Sequence, residues 1–434
     1  MTTALEAHIE PQIRSYPYRP EGFLRELGAF EEFIWLYTLS GLQRGFSMAI
    51  EVEGPTTVEQ WREALAKVQK SQPLFSACIQ KDGNSPPFFR SVVCGPIPLR
   101  FVDGAAGSSF ETEIATEVFT SFDGKHAPLL RAVLIHQPQQ SVFIITVHHC
   151  IADGISMVFA LRDLLRALSG ESIEPLPLLP SQEESFRITR YSLRENPPAD
   201  SLSLPRPSPG TPVKVLQASE PPRVESLQLD ATLTRAIIDH AKKERTTVNS
   251  ALCAALNEAA RTLHPSWKDR PIRIMANIST RNATGVGHAS AMYFTPSVLL
   301  GSAESKPSFW ESARSFSQSL SPARSIEAFQ AGAQFMTSVV VSGLDIKGII
   351  FILTHGVAHE IDFSNLGSFS FSDIFGALRL RSIWGSSFLT GVVDGQNVGV
   401  TTFKERLNLL YTTHTPIPRF LETVADILRQ NAKP

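Results

Sequence analysis

The chain is poor in cysteine: only Cys78, Cys94, Cys150 and Cys253 occur in 434 residues. They are widely spaced and form no CxxC pair, which argues against a zinc site or a redox motif. Four thiols in so long a chain do not make a disulfide framework, so a reducing compartment is expected. A basic excess is also lacking. The formal charge is −2 and the isoelectric point about 6.6, so nothing points to a nucleic-acid partner. There is no long hydrophobic run either. The most apolar stretch, residues 142–147, is far too short to span a bilayer. The opening MTTALEAHIEPQIRSYPYRP lacks the apolar centre of a secretory signal. A soluble, cytoplasmic protein with no membrane span is therefore expected. Gly285 and Gly287 follow no GxGxxG or Walker pattern, which argues against a phosphate-cradling loop.

What is present is ordinary globular material: 43% hydrophobic and 19% charged residues, enough to bury a sizeable core. The length exceeds the size at which one core usually stops growing, so two domains are expected. Proline is unevenly distributed, with eleven of its 30 occurrences between Pro175 and Pro222. Proline removes backbone donors and fixes φ, so this stretch is neither a continuous helix nor a central strand. It is read as a linker (175–223) crossing the surface between a domain of residues 1–174 and one of residues 224–434; a long disordered insertion inside one domain is the other reading.

Both halves mix strand and helix patterns. In the first, residues 46–52, 74–79 and 87–93 read as strands, and Thr56 or Thr57 caps a helix from Val58 to Lys70. Ser108 or Ser109 caps another, residues 129–136 and 141–148 form a hairpin, and an amphipathic helix runs over 154–168. In the second half, strands are expected over 224–229, 272–278, 376–384, 391–393, 398–402 and 407–413. Helices are expected from Asp230 or Thr232, from Thr247 to about Leu263, over 309–320 and over 418–430. No period of 20–50 residues repeats, which excludes a solenoid or propeller.

One segment carries chemistry. An apolar strand delivers His148-His149-Cys150-Ile151-Ala152-Asp153-Gly154, and a helix follows. Adjacent strand residues point to opposite faces, so one histidine can face a cleft while its neighbour faces the supporting structure. Gly154 permits a tight turn and a close backbone approach. Asp153 lies where a carboxylate is favoured by the helix dipole. A neutral imidazole, with an ordinary pKa near 6.5, can take a proton at pH 7. A well-placed general base contributes on the order of 10²–10⁴ in rate.

The string HHxxxDG, set between an apolar strand and an amphipathic helix, resembles the active-site motif of the chloramphenicol-acetyltransferase-like superfamily. That group includes chloramphenicol acetyltransferases, plant BAHD acyltransferases, peptide-synthetase condensation domains and polyketide-associated acyltransferases. Further matches are Phe122-Asp123 ahead of Pro128-Leu129-Leu130-Arg131, Thr247-Val248-Asn249 before an Ala-rich helix, and Asn277-Ile278-Ser279-Thr280-Arg281. Asp362-Phe363-Ser364-Asn365-Leu366-Gly367 resembles the Ser-Asn-Leu-Gly element of the polyketide-associated enzymes; a polar turn between strands is the other reading of those residues. A DFGWG string is lacking, unlike the plant enzymes.

The resemblance implies a fold of two α/β domains, each a mixed, mostly antiparallel sheet with helices, and an active-site tunnel between them. It implies His149 as general base, grouped in a catalytic set with His148, Asp153, Gly154 and Ser364. Arg281 would pair with Asp153, and Ser364, or Asn365 in its place, would stabilise an oxyanion. The co-substrate would be acyl-coenzyme A or an acyl-phosphopantetheine carrier protein, with no tightly bound cofactor and no metal. The acceptor would be a small alcohol, giving an ester in secondary metabolism. An amine acceptor, giving an amide, is the alternative, and a catalytically silent protein that only binds a carrier protein is a third reading. A free-standing monomer is expected.

Three other features are weighed. His355, His359 and Glu360 have helical spacing but lack HExxH order, so a structural pair is expected. His288 is expected on a loop. Cys150 lies inside the motif, but a covalent cysteine would need a base fixed upon it, and none is expected.

Overall fold

The structure is a computed structural model that describes residues 20–42, 45–195, 211–301 and 308–433. The opening residues read above for a signal, and residues 196–210 of the proline-rich segment, lie outside these. In chain order the first half supplies β1 (Phe23–Glu26), α1 (Ala29–Leu39), β2 (Gly45–Glu53), α2 (Val58–Ser71), β3 (Ala77–Gln80), β4 (Phe88–Ser91), β5 (Leu99–Asp103), α3 (Phe110–Phe119), β6 (Leu130–Gln137), β7 (Gln140–His148) and α4 (Gly154–Leu168). The second half supplies β8 (Arg223–Leu229), β9 (Ile272–Ser279), β10 (Phe294–Gly301), β11 (Ile361–Phe369), β12 (Ile374–Phe375), β13 (Leu378–Phe388), β14 (Gln396–Phe403) and β15 (Arg406–Thr413). Among its helices are Val248–Leu263, Phe309–Leu320, Ile326–Val341 and Phe420–Asn431.

Two six-stranded sheets organise these elements. The first runs β12-β13-β2-β7-β6-β5 and the second β10-β9-β11-β14-β15-β8. β7 is central: it pairs antiparallel with β2 on one side and β6 on the other. A strand covered on both faces and paired along both edges wants a largely apolar run, which residues 142–147 supply, with Thr146 satisfied by the Ser47 hydroxyl at 2.6 Å. The sheets are mixed, with β5–β6, β9–β11 and β11–β14 parallel and the remaining pairings antiparallel.

Helix starts follow side-chain capping. Thr57, Ser109, Asp153, Asp230, Thr247 and Ser308 each accept a backbone N–H of the first turn that follows. α2 and α4 cover one face of the first sheet, with Trp61, Leu65, Val68, Val158, Leu161 and Leu165 in a common core. Helices Val248–Leu263 and Phe420–Asn431 cover the second sheet with a separate core.

The expected boundary between residues 1–174 and 224–434 does not divide the sheets. β13 belongs to the second half of the chain but pairs with β2 in the first sheet. It lies close against β14. A Cβ on Gly399 would stand 2.1 Å from the Ser386 carbonyl oxygen, so only glycine admits this approach. Asn408 Nδ2 donates to the Ile383 carbonyl at 3.0 Å, and Ser387 and Thr412 hydroxyls are 2.6 Å apart.

Three local expectations change. Residues 73–76 form a 3-10 turn because Pro73 has no N–H to give a ladder, and only Ala77–Gln80 is strand. Residues 391–393 contribute one bridge, Val392 to Val215; Gly391 and Asp394 have positive φ and break the extended run. The proline-rich segment does not simply cross the surface. Ser181 caps a short helix, Gln182–Ser185, and Ser181, Gln182 and Glu183 are buried. The cause lies at the start of α1. Its N-cap is Gly28, which has no side chain, so Glu183 Oε1 accepts the Phe30 N–H at 2.9 Å. Burial pushes the Glu183 carboxyl above its usual range.

Candidate active site

The two adjacent histidines divide their roles by position. His148 is the last residue of β7 and is fully buried. Its Nδ1 accepts the Cys150 N–H at 3.2 Å, which leaves the proton on Nε2. Nε2 then donates to Thr38 Oγ1 at 3.2 Å, whose own proton goes to the Ile34 carbonyl. Burial pushes the His148 pKa down to about 3, with the neighbouring His149 adding to the effect. His148 is not among the residues that line the cavity described below; it is buried and uncharged beneath the turn.

His149 stands just past the strand end and is half-buried. Its Nδ1 lies 2.9 Å from the Ala152 carbonyl oxygen, which can only accept. The proton is therefore on Nδ1, and Nε2 is the basic nitrogen. The ring is flanked by Phe46, with centroids 4.7 Å apart, and by Phe294 at 5.1 Å.

The turn is fixed from below by charge. Asp153 Oδ1 caps α4 through the Ser156 N–H at 2.7 Å. Asp153 Oδ2 accepts from Arg281 Nε at 2.8 Å and from the Tyr293 N–H at 3.1 Å. Arg281 also donates to the carbonyls of Gly287, Ala289 and Ala291. Both carboxylate oxygens of Asp153 are thus engaged in holding the turn against α4, Arg281 and Tyr293. Gly154 packs closely on Leu366: a Cβ there would stand 2.6 Å from Leu366 Cδ2, so that side chain would have to shift. Cys150 Sγ donates to the Glu31 carbonyl, and burial pushes its thiol well above the usual range, so it stays protonated and inert.

His149 lines a cavity of about 260 Å³ between the halves of the chain. Phe30, Phe33 and Ile34 of α1 and Phe46 of β2 form one wall. Met275 and Asn277 of β9, Phe294 of β10 and Ser364, Asn365 and Leu366 of β11 form another. Asp153, Gly154, His149 and Ser364 are thus gathered at one cavity, with Arg281 directly behind Asp153. The Asp362–Gly367 segment is not a turn; it lies within β11, and Gly367 sits at φ 85° where the register with β14 shifts. Asn365 Oδ1 accepts the Gly367 N–H at 3.0 Å and shapes that irregularity.

Motif reasoning did not reach α1, the Gln182–Ser185 helix or Phe294. Glu360 is taken up by Arg273 and Arg270 at 2.6 and 2.9 Å. His355 ends a π-turn, so it and His359 share no regular helix. His288 stacks on Phe159 with centroids 3.6 Å apart.

The Condensation domain family profile matches residues 38–286, more than half of the chain. The chain belongs to the condensation-domain family, within the chloramphenicol-acetyltransferase-like superfamily. It is 33% identical over 131 residues to the polyketide synthase PksN of Bacillus subtilis, covering 28% of this chain and 2% of that protein. The chain thus spans only about 2% of the length of that curated relative. Among solved structures, polyketide synthase associated protein 5 from Mycobacterium tuberculosis superposes with a TM-score of 0.65. It is 16% identical and covers 96% of this chain and 100% of its own. The first condensation domain of the calcium-dependent antibiotic synthetase, in complex with a substrate analogue, gives 0.64 at 16% identity over 95% and 97%. These likenesses show the shared fold of two lobes. Members of the family transfer acyl or aminoacyl groups and work with carrier proteins in synthetases, and some are catalytically inactive. No helix among the described residues is long and apolar enough to cross a membrane.

Proposed function

We propose that the chain transfers an acyl group from a thioester to an acceptor hydroxyl, with His149 Nε2 as general base. The observation that carries this reading is the His149 Nδ1–Ala152 carbonyl contact, which leaves the basic nitrogen on a ring that lines the cavity. The acceptor oxygen attacks the thioester carbonyl as Nε2 takes its proton. The tetrahedral oxyanion is held by Ser364. The intermediate collapses, the C–S bond breaks, and the thiolate takes the proton back from His149. The donor is acyl-coenzyme A or an acyl group on the phosphopantetheine of a carrier protein.

An amine acceptor is the second reading, favoured by the family's presence in peptide synthetases such as the linear gramicidin synthase of Brevibacillus parabrevis. Thiol release from a panel of acyl-coenzyme A donors, followed with a disulfide dye across alcohols and amines, tests both. Turnover with alcohols supports ester formation, and turnover with amines alone shifts the assignment to amide formation. No release with any donor, coenzyme A or carrier-bound, overturns the enzyme reading in favour of a silent carrier-binding protein.

A further inference from the structure

β11 alternates over residues 361–364 as it enters the cavity wall. Ile361 and Phe363 enter the core of the second half, while Asp362 and Ser364 line the cavity on the opposite face. Asp362 has no part in the reaction above, yet it is 1% exposed. Asn277 Nδ2 donates to its Oδ1 at 2.8 Å, whereas its Oδ2 accepts no hydrogen bond within the protein. Behind it lies His359, equally buried. His359 Nδ1 is engaged by the Val357 carbonyl at 2.6 Å, and Nε2 stands 3.5 Å from Asp362 Oδ2, also without a hydrogen bond.

A buried polar atom left unsatisfied costs about 1–3 kcal/mol, more if charged, so such a group calls for an explanation. Phe30, Phe33, Phe294, Phe335 and Met336 give the cavity a large apolar wall, with polar side chains such as Asn277, Ser364 and Asn365 beside it. Asp362 and Ser364 are two residues apart on one strand face, or about 7 Å. A hydrogen-bond acceptor therefore sits one small molecule's length from the proposed oxyanion site.

We propose that Asp362, oriented by Asn277 and backed by His359, determines acceptor specificity by receiving a hydrogen bond from a second hydroxyl or amino group on an acceptor with an apolar body. This rests on the transferase reading and extends it to a substrate class: amphiphilic acceptors that carry two polar groups, one to be acylated and one to be recognised.

Three acceptors of one carbon skeleton test it: phenylpropanol with one polar group, and phenylpropanediol and phenylalaninol with two. Wild-type protein should favour one or both of the latter over phenylpropanol by about tenfold in kcat/KM, a ratio of the size one well-formed hydrogen bond gives. Which of the two is favoured tells hydroxyl from amino recognition. In Asp362→Asn that ratio should fall to within about twofold, whatever the absolute rates. Should Asp362→Asn not fold, Asn277→Ala, which removes the donor that orients the carboxylate, carries the same expectation. A wild-type ratio near one, or a ratio that survives the substitution, overturns the subsite and leaves acyl transfer standing. No turnover with any acceptor or donor overturns acyl transfer, and the subsite with it.

Discussion

Asp153 and Arg281, 128 positions apart in sequence, meet at 2.8 Å with both side chains almost wholly buried. Removing the carboxylate would leave a guanidinium stranded away from water. Breaking one partner of a buried pair costs about 3–5 kcal/mol. Asp153→Ala should therefore lower the unfolding free energy obtained from a urea melt by an amount in that range, and an unchanged midpoint would refute the bracing role.

His149 presents the opposite case. Its ring borders the cavity and packs between Phe46 and Phe294, so His149→Ala should lower the urea midpoint far less than Asp153→Ala does. Under the proposed mechanism kcat should fall by roughly 10²–10⁴. A loss below tenfold would remove the residue from its role as base.

Gly154 faces Leu366 across the cavity rim, and a methyl group there would overlap Leu366 Cδ2 at 2.6 Å. Overpacking of this kind costs about 1–3 kcal/mol. Gly154→Ala should show that loss in a urea melt, and adding Leu366→Ala should recover part of it. A neutral Gly154→Ala, or the absence of any recovery, would show that the contact does not constrain the turn.

His148 predicts a pH dependence of stability. Its folded pKa is depressed to about 3, whereas the unfolded chain titrates near 6.5. Below 6.5 the unfolded state binds a proton that the folded state refuses, so this contribution is complete above 6.5 and is lost as pH falls towards 3. At pH 5 the loss amounts to about 2 kcal/mol. His148→Gln should be less sensitive than wild type when urea midpoints at pH 7.5 and pH 5 are compared; equal sensitivity in both proteins would count against it.

Much of this architecture could be read from local pattern. The helix over 154–168 and the hairpin before it follow from periodicity and a capping aspartate, and both stand where the sequence places them. The Asp153–Arg281 contact came from motif resemblance and has no local signal, because neither residue's partner is encoded nearby. His148 and His149 look alike in sequence; only the end of β7, which leaves one inside the sheet and one beyond it, separates a strut from a base. Glu183 was hidden because proline-rich composition suggested a surface path. Its burial is dictated by a distant helix whose own cap lacks a side chain. Asp362 was visible only as part of a motif, and its position between Asn277 and His359 emerges from three-dimensional packing alone.

The crossing of β13 has a practical consequence. A fragment ending at residue 174 would expose the edge of β2 that β13 covers, a row of free N–H and C=O groups ready to template aggregation. The two halves are laced together through two borrowed strands, β12 and β13, so dissecting this protein into separately expressed modules requires residues 374–388 to travel with the first.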